Sequence, residues 1–235
     1  MLTASIVSHG HGAMVANLVS DLLECLEVAK IVITQNVPEK IDYPADRRIE
    51  IICNDVPRGY GANQNAAFAK VTTPFFCVLN PDIRLDGNPF PLLLETLLDW
   101  RMAACAPVIT KPDGEREDSA RKFPTAISLV GKALGLGDGT YPDTAGTLNP
   151  DWLAGMFLLV SSSAFREVGG FDENYFLYYE DVDLCWRLRR RGYELRQVMD
   201  AGAVHDARRA SRRDWQHARW HLASMARFLA RSTFL

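Results

Sequence analysis

The chain has 235 residues, of which 48% are hydrophobic and 23% charged, and its formal net charge at pH 7 is −3. These values describe an ordinary globular protein able to bury an ample core; they exclude a disordered or fibrous chain and argue against bulk nucleic-acid binding. Residues 4–7, 31–34, 49–53, 75–79 and 103–108 are short β-favouring runs, and helical patterns lie between several of them at 14–27, 61–70 and 91–100. That alternation predicts βαβ units and an α/β fold with a mostly parallel central sheet flanked by helices. From 110 to 149 the pattern loosens around Pro112, Pro124, Gly135, Gly137, Gly139 and Pro142, as in a functional lid or substrate loop. Order resumes with a strand over 153–160, a short helix over 162–168, an acidic helix from about Glu180, a strand at 195–198 and a closing amphipathic helix over 215–229.

Cys25, Cys53, Cys77, Cys105 and Cys185 lie far apart with no metal-ligand spacing, and read as small core residues in a reducing compartment. No run approaches the ~20 apolar residues of a membrane span, and the apolar start of the chain is too short for a signal peptide. A cytoplasmic protein is expected.

In parallel sheets ligands bind beyond the carboxyl ends of the strands. Four segments fall there: Ser8-His9-Gly10-His11, Gln35-Asn36, residues 54–65 and Asn80-Pro81-Asp82. The proline stops its strand and presents Asp82 at the sheet edge, where one carboxylate can hold a divalent cation that bridges two phosphates; a turn-capping Asp is the plain alternative. Two glycines, Gly59 and Gly61, open a helix whose backbone N–H groups can face an anion, with Asn63 and Asn65 as donors and acceptors for a base or ribose, or as caps. There is no P-loop Lys-Ser/Thr and no full dinucleotide fingerprint. Glu180, Asp181 and Asp183 head a helix, where the dipole favours ionised carboxylates, beside Tyr175, Phe176, Tyr178 and Tyr179. That is what a base for a sugar hydroxyl needs. A capping cluster on a surface helix would explain three isolated acids, but the surrounding glycines and the second acidic motif favour chemistry. His205 alone reads as structural unless the fold brings it near Asp82. Ser8, His9 and His11 lack the partners of a hydrolase triad.

Together, from about Ser5 to about Ser224, these motifs resemble the inverting glycosyltransferases of family 2, with the GT-A fold, in the branch of bacterial rhamnosyltransferase-like enzymes that use donors such as dTDP-rhamnose. The resemblance implies one GT-A domain over 1–235, with a nucleotide-sugar half at 1–108, an acceptor and catalytic half at 109–235, and a C-terminal helical closure. Ser8, His9, Asn36, Gly61, Asn65, Asn80 and Asp82 would contact a dTDP-, UDP- or GDP-sugar donor. Asn80-Pro81-Asp82 stands where the family has its metal-binding Asp-X-Asp, so Asp82 and His205 would hold Mg²⁺ or Mn²⁺. Trp152, Gly155, Asp172 and Glu173 would shape the acceptor side, and in the pair Glu180-Asp181 the Asp would be the base. Asn80 in place of the first acid, and Gln35-Asn36-Val37-Pro38 where many relatives have Asp-Asn-Ala-Ser, are departures that bear on metal affinity and nucleotide identity.

Two other readings use the same residues: a sugar-1-phosphate nucleotidyltransferase, disfavoured by the absence of Arg or Lys beside Gly10 and Gly12, and a catalytically silent sugar-nucleotide-binding protein, disfavoured by Glu180 and Asp181. Arg208, Arg209, Arg212 and Arg213 precede a helix with Trp215, Trp220, Leu222 and Phe228. That pairing suits an anionic membrane surface, and equally a core seal or a homodimer seam. The acceptor is expected to be a glycan or a lipid-linked glycan.

Overall fold

The computed structural model describes residues 1–125, 149–206 and 215–234; the basic run 208–213 and most of the proposed loop, 126–148, lie outside the described residues. Its centre is an eight-stranded sheet. In chain order the strands are β1 (Leu2–Ser8), β2 (Val28–Gln35), β3 (Ile49–Cys53), β4 (Phe75–Leu79), β5 (Ile83–Arg84), β6 (Met102–Thr110), β9 (Phe157–Ser161) and β10 (Glu194–His205). A two-stranded ribbon of β7 (Ala120–Arg121) and β8 (Trp152–Leu153) stands apart from the sheet. Spatial order is β3-β2-β1-β4-β9-β6-β10-β5, with β9 and β5 running against the other strands. The sheet is mixed but mostly parallel, as the βαβ pattern requires.

Both faces of the sheet are covered, which is why its strands read as unbroken apolar runs. Successive residues alternate between two cores. Cys77 and Leu79 of β4, Ile31 and Ile33 of β2, and Phe157 and Leu159 of β9 face one core. It is closed by Val15, Leu18 and Leu22 of helix α1 (Ala13–Leu23) and by Phe90 and Leu93 of α3 (Phe90–Thr96). Phe76, Val78, Val32, Leu158 and Val160 face the other core. There they meet Ala67 of α2 (Tyr60–Phe68), Phe165 of α4 (Ser162–Glu167), and Leu184 and Leu188 of α5 (Glu180–Arg190).

The continuous apolar run over 153–160 is two strands rather than one: the chain breaks at Ala154, Gly155 and Met156 between β8 and β9. Apolar content alone does not reveal that break. Four of the five cysteines are buried, whereas Cys53, at the end of β3, is exposed.

Helix α6 (Trp215–Phe234) closes the molecule over a third core of Tyr175, Tyr179, Val182 and Phe228. The four apolar residues singled out on it divide. Phe228 is fully buried and Trp220 stacks on Phe176 at 4.6 Å, but Trp215 and Leu222 are 86% and 59% exposed.

Candidate active site

Because β1 to β4 are mutually parallel, Ser8, Gln35-Asn36, Asn54 and Asn80 emerge along one sheet edge. Asn36 organises that edge. Its amide donates to Arg58 O (2.9 Å) and approaches His9 Nδ1 (3.2 Å), while its oxygen accepts from Arg58 N (2.8 Å) and Asn54 Nδ2 (2.9 Å). Asn54 also donates to Asn63 Oδ1 at 2.7 Å. Beside this network, at the ends of β2 and β3, lies a cavity of about 560 Å³ lined by Gln35, Val37, Pro38, Glu39, Lys40, Cys53, Asn54 and Asp55.

Several residues expected at the donor or acceptor hold the fold together. Asn63 is fully buried and paired at both ends of its amide. Asn65 donates to Phe171 O and Glu173 Oε1 and accepts from Phe171 N, so it clamps the loop after α4. Gly61 permits the same approach: a Cβ there would meet Phe171 Cβ at 2.9 Å. Asp172 pairs with Arg231 (3.0 Å) and Glu173 faces Arg58 (3.7 Å); neither lines the cavity that holds Asp181. The clamp gives a direct test. Gly170 has φ +71°, and a Cβ on it would sit 2.5 Å from Asn65 Oδ1. Left-handed strain and overpacking together should make Gly170→Ala destabilising by about 2–4 kcal/mol, read from the denaturant midpoint.

The acidic motif opens α5, and two tyrosines set its position. Tyr178 and Tyr179 both have positive φ (69° and 65°), a strained conformation for aromatic residues that surrounding contacts must hold. Those contacts come from α6. His217 Nδ1 meets Tyr178 Oη at 2.9 Å, Ser224 Oγ donates to Leu177 O at 3.0 Å, and His221 lies edge-on to both rings. Asp183 is the structural acid of the three: fully buried, it pairs with Arg187 at 2.7 Å and Arg231 at 2.9 Å, tying α5 to α6.

Glu180 and Asp181 face a cavity of about 750 Å³ together with Trp152, Gly155, Tyr179 and His221, and the cavity extends to Tyr60, Asn80 and Arg121. Asp181 Oδ2 accepts the Gly155 N–H and Oδ1 the Val182 N–H, both at 2.8 Å. The break between β8 and β9 makes this contact possible, since a Cβ on Gly155 would approach Asp181 Cβ to 3.3 Å. Burial raises the Asp181 pKa above the ordinary carboxylate value against the pull of those two N–H groups. Glu180, 6% exposed and with no hydrogen-bond partner at Oε2, is pushed up to about 8 by burial and by the Asp181 charge. Burial and the neighbouring Asp181 charge thus favour the protonated form of Glu180.

The unfolded chain ionises Glu180 near its ordinary value of 4.5, whereas the folded state holds the proton to about 8. This group thus lowers stability progressively as pH rises from about 4.5 through 8 and adds no further change beyond. Glu180→Gln removes the effect, so thermal scans at pH 5 and pH 8.5 should show the variant gaining on the unaltered chain only at the higher pH.

Asp82 lies on the turn after β4, fixed by Asn80 N to Met156 O (2.8 Å) and Asp206 N to Asp82 O (2.9 Å). The fold does bring His205 to it: Nε2 stands 3.2 Å from Asp82 Oδ1, and Nδ1 2.6 Å from Glu117 Oε2. Burial alone would lower the His205 pKa, but the two carboxylates outweigh it and raise it to about 9. Burial would raise that of Asp82, and His205 holds it below the ordinary value. No three His, Cys, Asp or Glu side chains converge as a ready-made cation cage among the described residues. The pair does suit a divalent cation that keeps open positions for phosphate oxygens: Asp82 Oδ1 is buried with only the His205 Nε2 atom beside it, at 3.2 Å, so a carboxylate oxygen and an imidazole nitrogen converge on one point. Asn80 Oδ1 lies 3.1 Å from Tyr60 Oη, which also reaches Gly155 O at 3.3 Å.

Tyr60, Arg121 and His221, which line the larger cavity, and Glu117, which meets His205, were not singled out from the sequence. Tyr60 had a signal, sitting between the two glycines that open α2. Arg121 and Glu117 lie in the irregular segment after β6, and His221 in a helix whose pattern reads as packing.

A mostly parallel sheet with paired acids at one helix N-terminus and a lone Asp on a turn at the same edge defines a GT-A glycosyltransferase, and comparison with solved structures supports that fold. The chain superposes on GalNAc-T7, solved with UDP, GalNAc and Mn²⁺, with a TM-score of 0.73 at 15% identity, over 97% of its own length and 47% of that chain. It superposes on the mannosyltransferase PcManGT of Pyrobaculum calidifontis, solved with GDP-Man and Mn²⁺, with a TM-score of 0.67 at 13% identity, over 96% of its own length and 64% of that chain. No family model matches. Among curated proteins it is 32% identical over 255 residues to rhamnosyltransferase WbbL of Escherichia coli K12, covering 100% of this chain and 95% of that one. It is 33% identical over 195 residues to the N-acetylglucosaminyl-diphospho-decaprenol L-rhamnosyltransferase of Mycobacterium tuberculosis, covering 73% of this chain and 64% of that longer one. The chain belongs to the rhamnosyltransferase-like branch of the family 2 GT-A glycosyltransferases.

Proposed function

We propose that this glycosyltransferase moves rhamnose from dTDP-rhamnose to a hydroxyl of a glycan or lipid-linked glycan, by a single displacement with inversion. The observation that carries the reading is Asp181, held by two backbone N–H groups inside the larger cavity, with Glu180 beside it. Asp181 removes the acceptor proton as that oxygen attacks the anomeric carbon. Residues 1–108 hold the donor, with the base at the cavity beyond β2 and β3, and residues 109–235 supply the acceptor side, including Trp152 and Gly155. Asp82 and His205 would hold Mg²⁺ or Mn²⁺; both solved neighbours carry Mn²⁺. Such a cation, when bound, neutralises charge on the departing diphosphate. The choice of rhamnose rests on the names of the two curated relatives, and that of a lipid-linked acceptor on the mycobacterial one. A thermal-shift panel of dTDP-, UDP- and GDP-sugars with and without Mg²⁺ or Mn²⁺ tests the donor: dTDP-rhamnose with metal should raise the melting temperature most. A larger shift with a UDP- or GDP-sugar would replace the donor.

No described helix is long and apolar enough to cross a membrane. Peripheral contact at a membrane's cytoplasmic face suits exposed Trp215 and Leu222 with the preceding arginines. Each Arg near an anionic surface adds ~1 kcal/mol. Replacing Arg208, Arg209, Arg212 and Arg213 together should therefore abolish co-sedimentation with anionic liposomes at low salt. Failure of the unaltered chain to sediment with them would remove the membrane contact.

A further inference from the structure

We infer that Glu117 is a positioning residue for the cation site: it holds the His205 ring so that Nε2, and not Nδ1, is presented beside Asp82. The inference rests on the reading of Asp82 and His205 as cation ligands. Three chain segments converge to build the arrangement. His205 ends β10 and pairs with Ile83 of β5, one residue after Asp82, which fixes its backbone against the Asp82 turn. Glu117 comes from the segment after β6, held there by its N–H to Ile109 O at 2.8 Å and by the bridge between Thr110 and Arg116. The imidazole is clamped from both sides, 2.6 Å from Glu117 at Nδ1 and 3.2 Å from Asp82 at Nε2, with the His205 side chain only 10% exposed.

A cation at Nε2 must displace the proton that His205 otherwise holds there toward Asp82, leaving one lone pair, and a carboxylate accepting N–H at the other ring nitrogen sets the tautomer, fixes the ring plane and raises ligand basicity. With the first acid of the metal motif replaced by Asn80, the chain supplies two ligand side chains instead of three, so orientation of His205 matters more. Glu117 is 26% exposed and lies on the far side of the ring from Asp82 as judged by the nitrogen it meets. It acts on the cation through His205.

The test is Mn²⁺ binding by the whole chain in the presence of dTDP, with UDP and GDP in parallel, read from the electron paramagnetic resonance signal of free Mn²⁺, with thermal unfolding to confirm folding. Glu117→Ala should weaken Mn²⁺ binding about 10–100-fold. Glu117→Gln, which still accepts from Nδ1, should lose less. Wild-type affinity in Glu117→Ala, alongside lost binding in Asp82→Asn, would overturn the positioning role alone. Equal losses in the Ala and Gln variants would make Glu117 a ligand and also overturn it. Unchanged binding in Asp82→Asn, or none by the unaltered chain, would overturn the cation reading itself. Should the Glu117 variants fail to fold, ¹⁵N-histidine spectra of the unaltered chain with Mg²⁺ and dTDP decide. Nδ1 must stay protonated while Nε2 shifts; a shift at Nδ1 instead contradicts the inference.

Discussion

Asp181→Asn is expected to lower kcat by at least ~10²-fold while leaving donor affinity little changed, because a general base contributes in the transition state and not in the binding of the nucleotide. The substitution is nearly isosteric, but Asp181 accepts one N–H at each oxygen, from Gly155 and Val182. An amide can accept at only one of its two ends, so the Asn side chain leaves one backbone N–H unpaired as well as abolishing the base. A thermal scan beside the kinetics separates these effects: a modest fall in melting temperature with a large fall in kcat assigns chemistry to Asp181. If the loss appears in donor binding instead, Asp181 is a positioning group and Glu180 becomes the base. Asp183 does not stand in reserve, since its carboxylate is fully buried between Arg187 and Arg231.

The second large effect is expected at Asp82. Asp82→Asn should reduce transfer by a factor of ~10² or more and abolish dependence on added Mg²⁺ or Mn²⁺, since no second carboxylate stands in Asn80-Pro81-Asp82 to compensate. The fold should survive. Asp82 lies on a turn whose backbone bonds, Asn80 N to Met156 O and Asp206 N to Asp82 O, do not involve the side chain. Transfer rates across a metal titration, with chelator as the zero point, check both parts. An active Asp82→Asn variant with full activity in excess chelator would defeat the cation assignment.

The half of the fold that binds along the sheet edge was legible because its strands are buried on both faces. Phe76 and Val78 enter one core while Cys77 and Leu79 enter the other, so apolar run length and flanking turns sufficed. The break at Gly155 was not, since residues 153–160 are nearly all apolar and the reason for the break is a contact with Asp181, 26 residues later. Two-residue strands such as β5 and β7 carry no period to detect. Of the residues singled out from spacing and resemblance, Glu180 and Asp181 line one cavity and the fold brings Asp82 and His205 into contact. Asn65 and Asp172 make intramolecular contacts that spacing does not announce, because a side-chain amide or carboxylate that clamps a loop has the same local sequence as one that binds a ligand. The positive φ of Tyr178 and Tyr179 could not be read either, because aromatic residues rarely adopt it and the contacts from α6 that enforce it lie about 40 residues downstream.

The measurement that tests the account most directly is the anomeric configuration of the product, read by ¹H NMR after incubation with dTDP-rhamnose, Mn²⁺ and a panel of glycan and lipid-linked glycan acceptors. One displacement driven by a base at Asp181 predicts a single product whose new linkage has the configuration opposite to that of the donor. A product that keeps the donor's configuration would exclude a single back-face displacement, and would contradict the role assigned to Asp181.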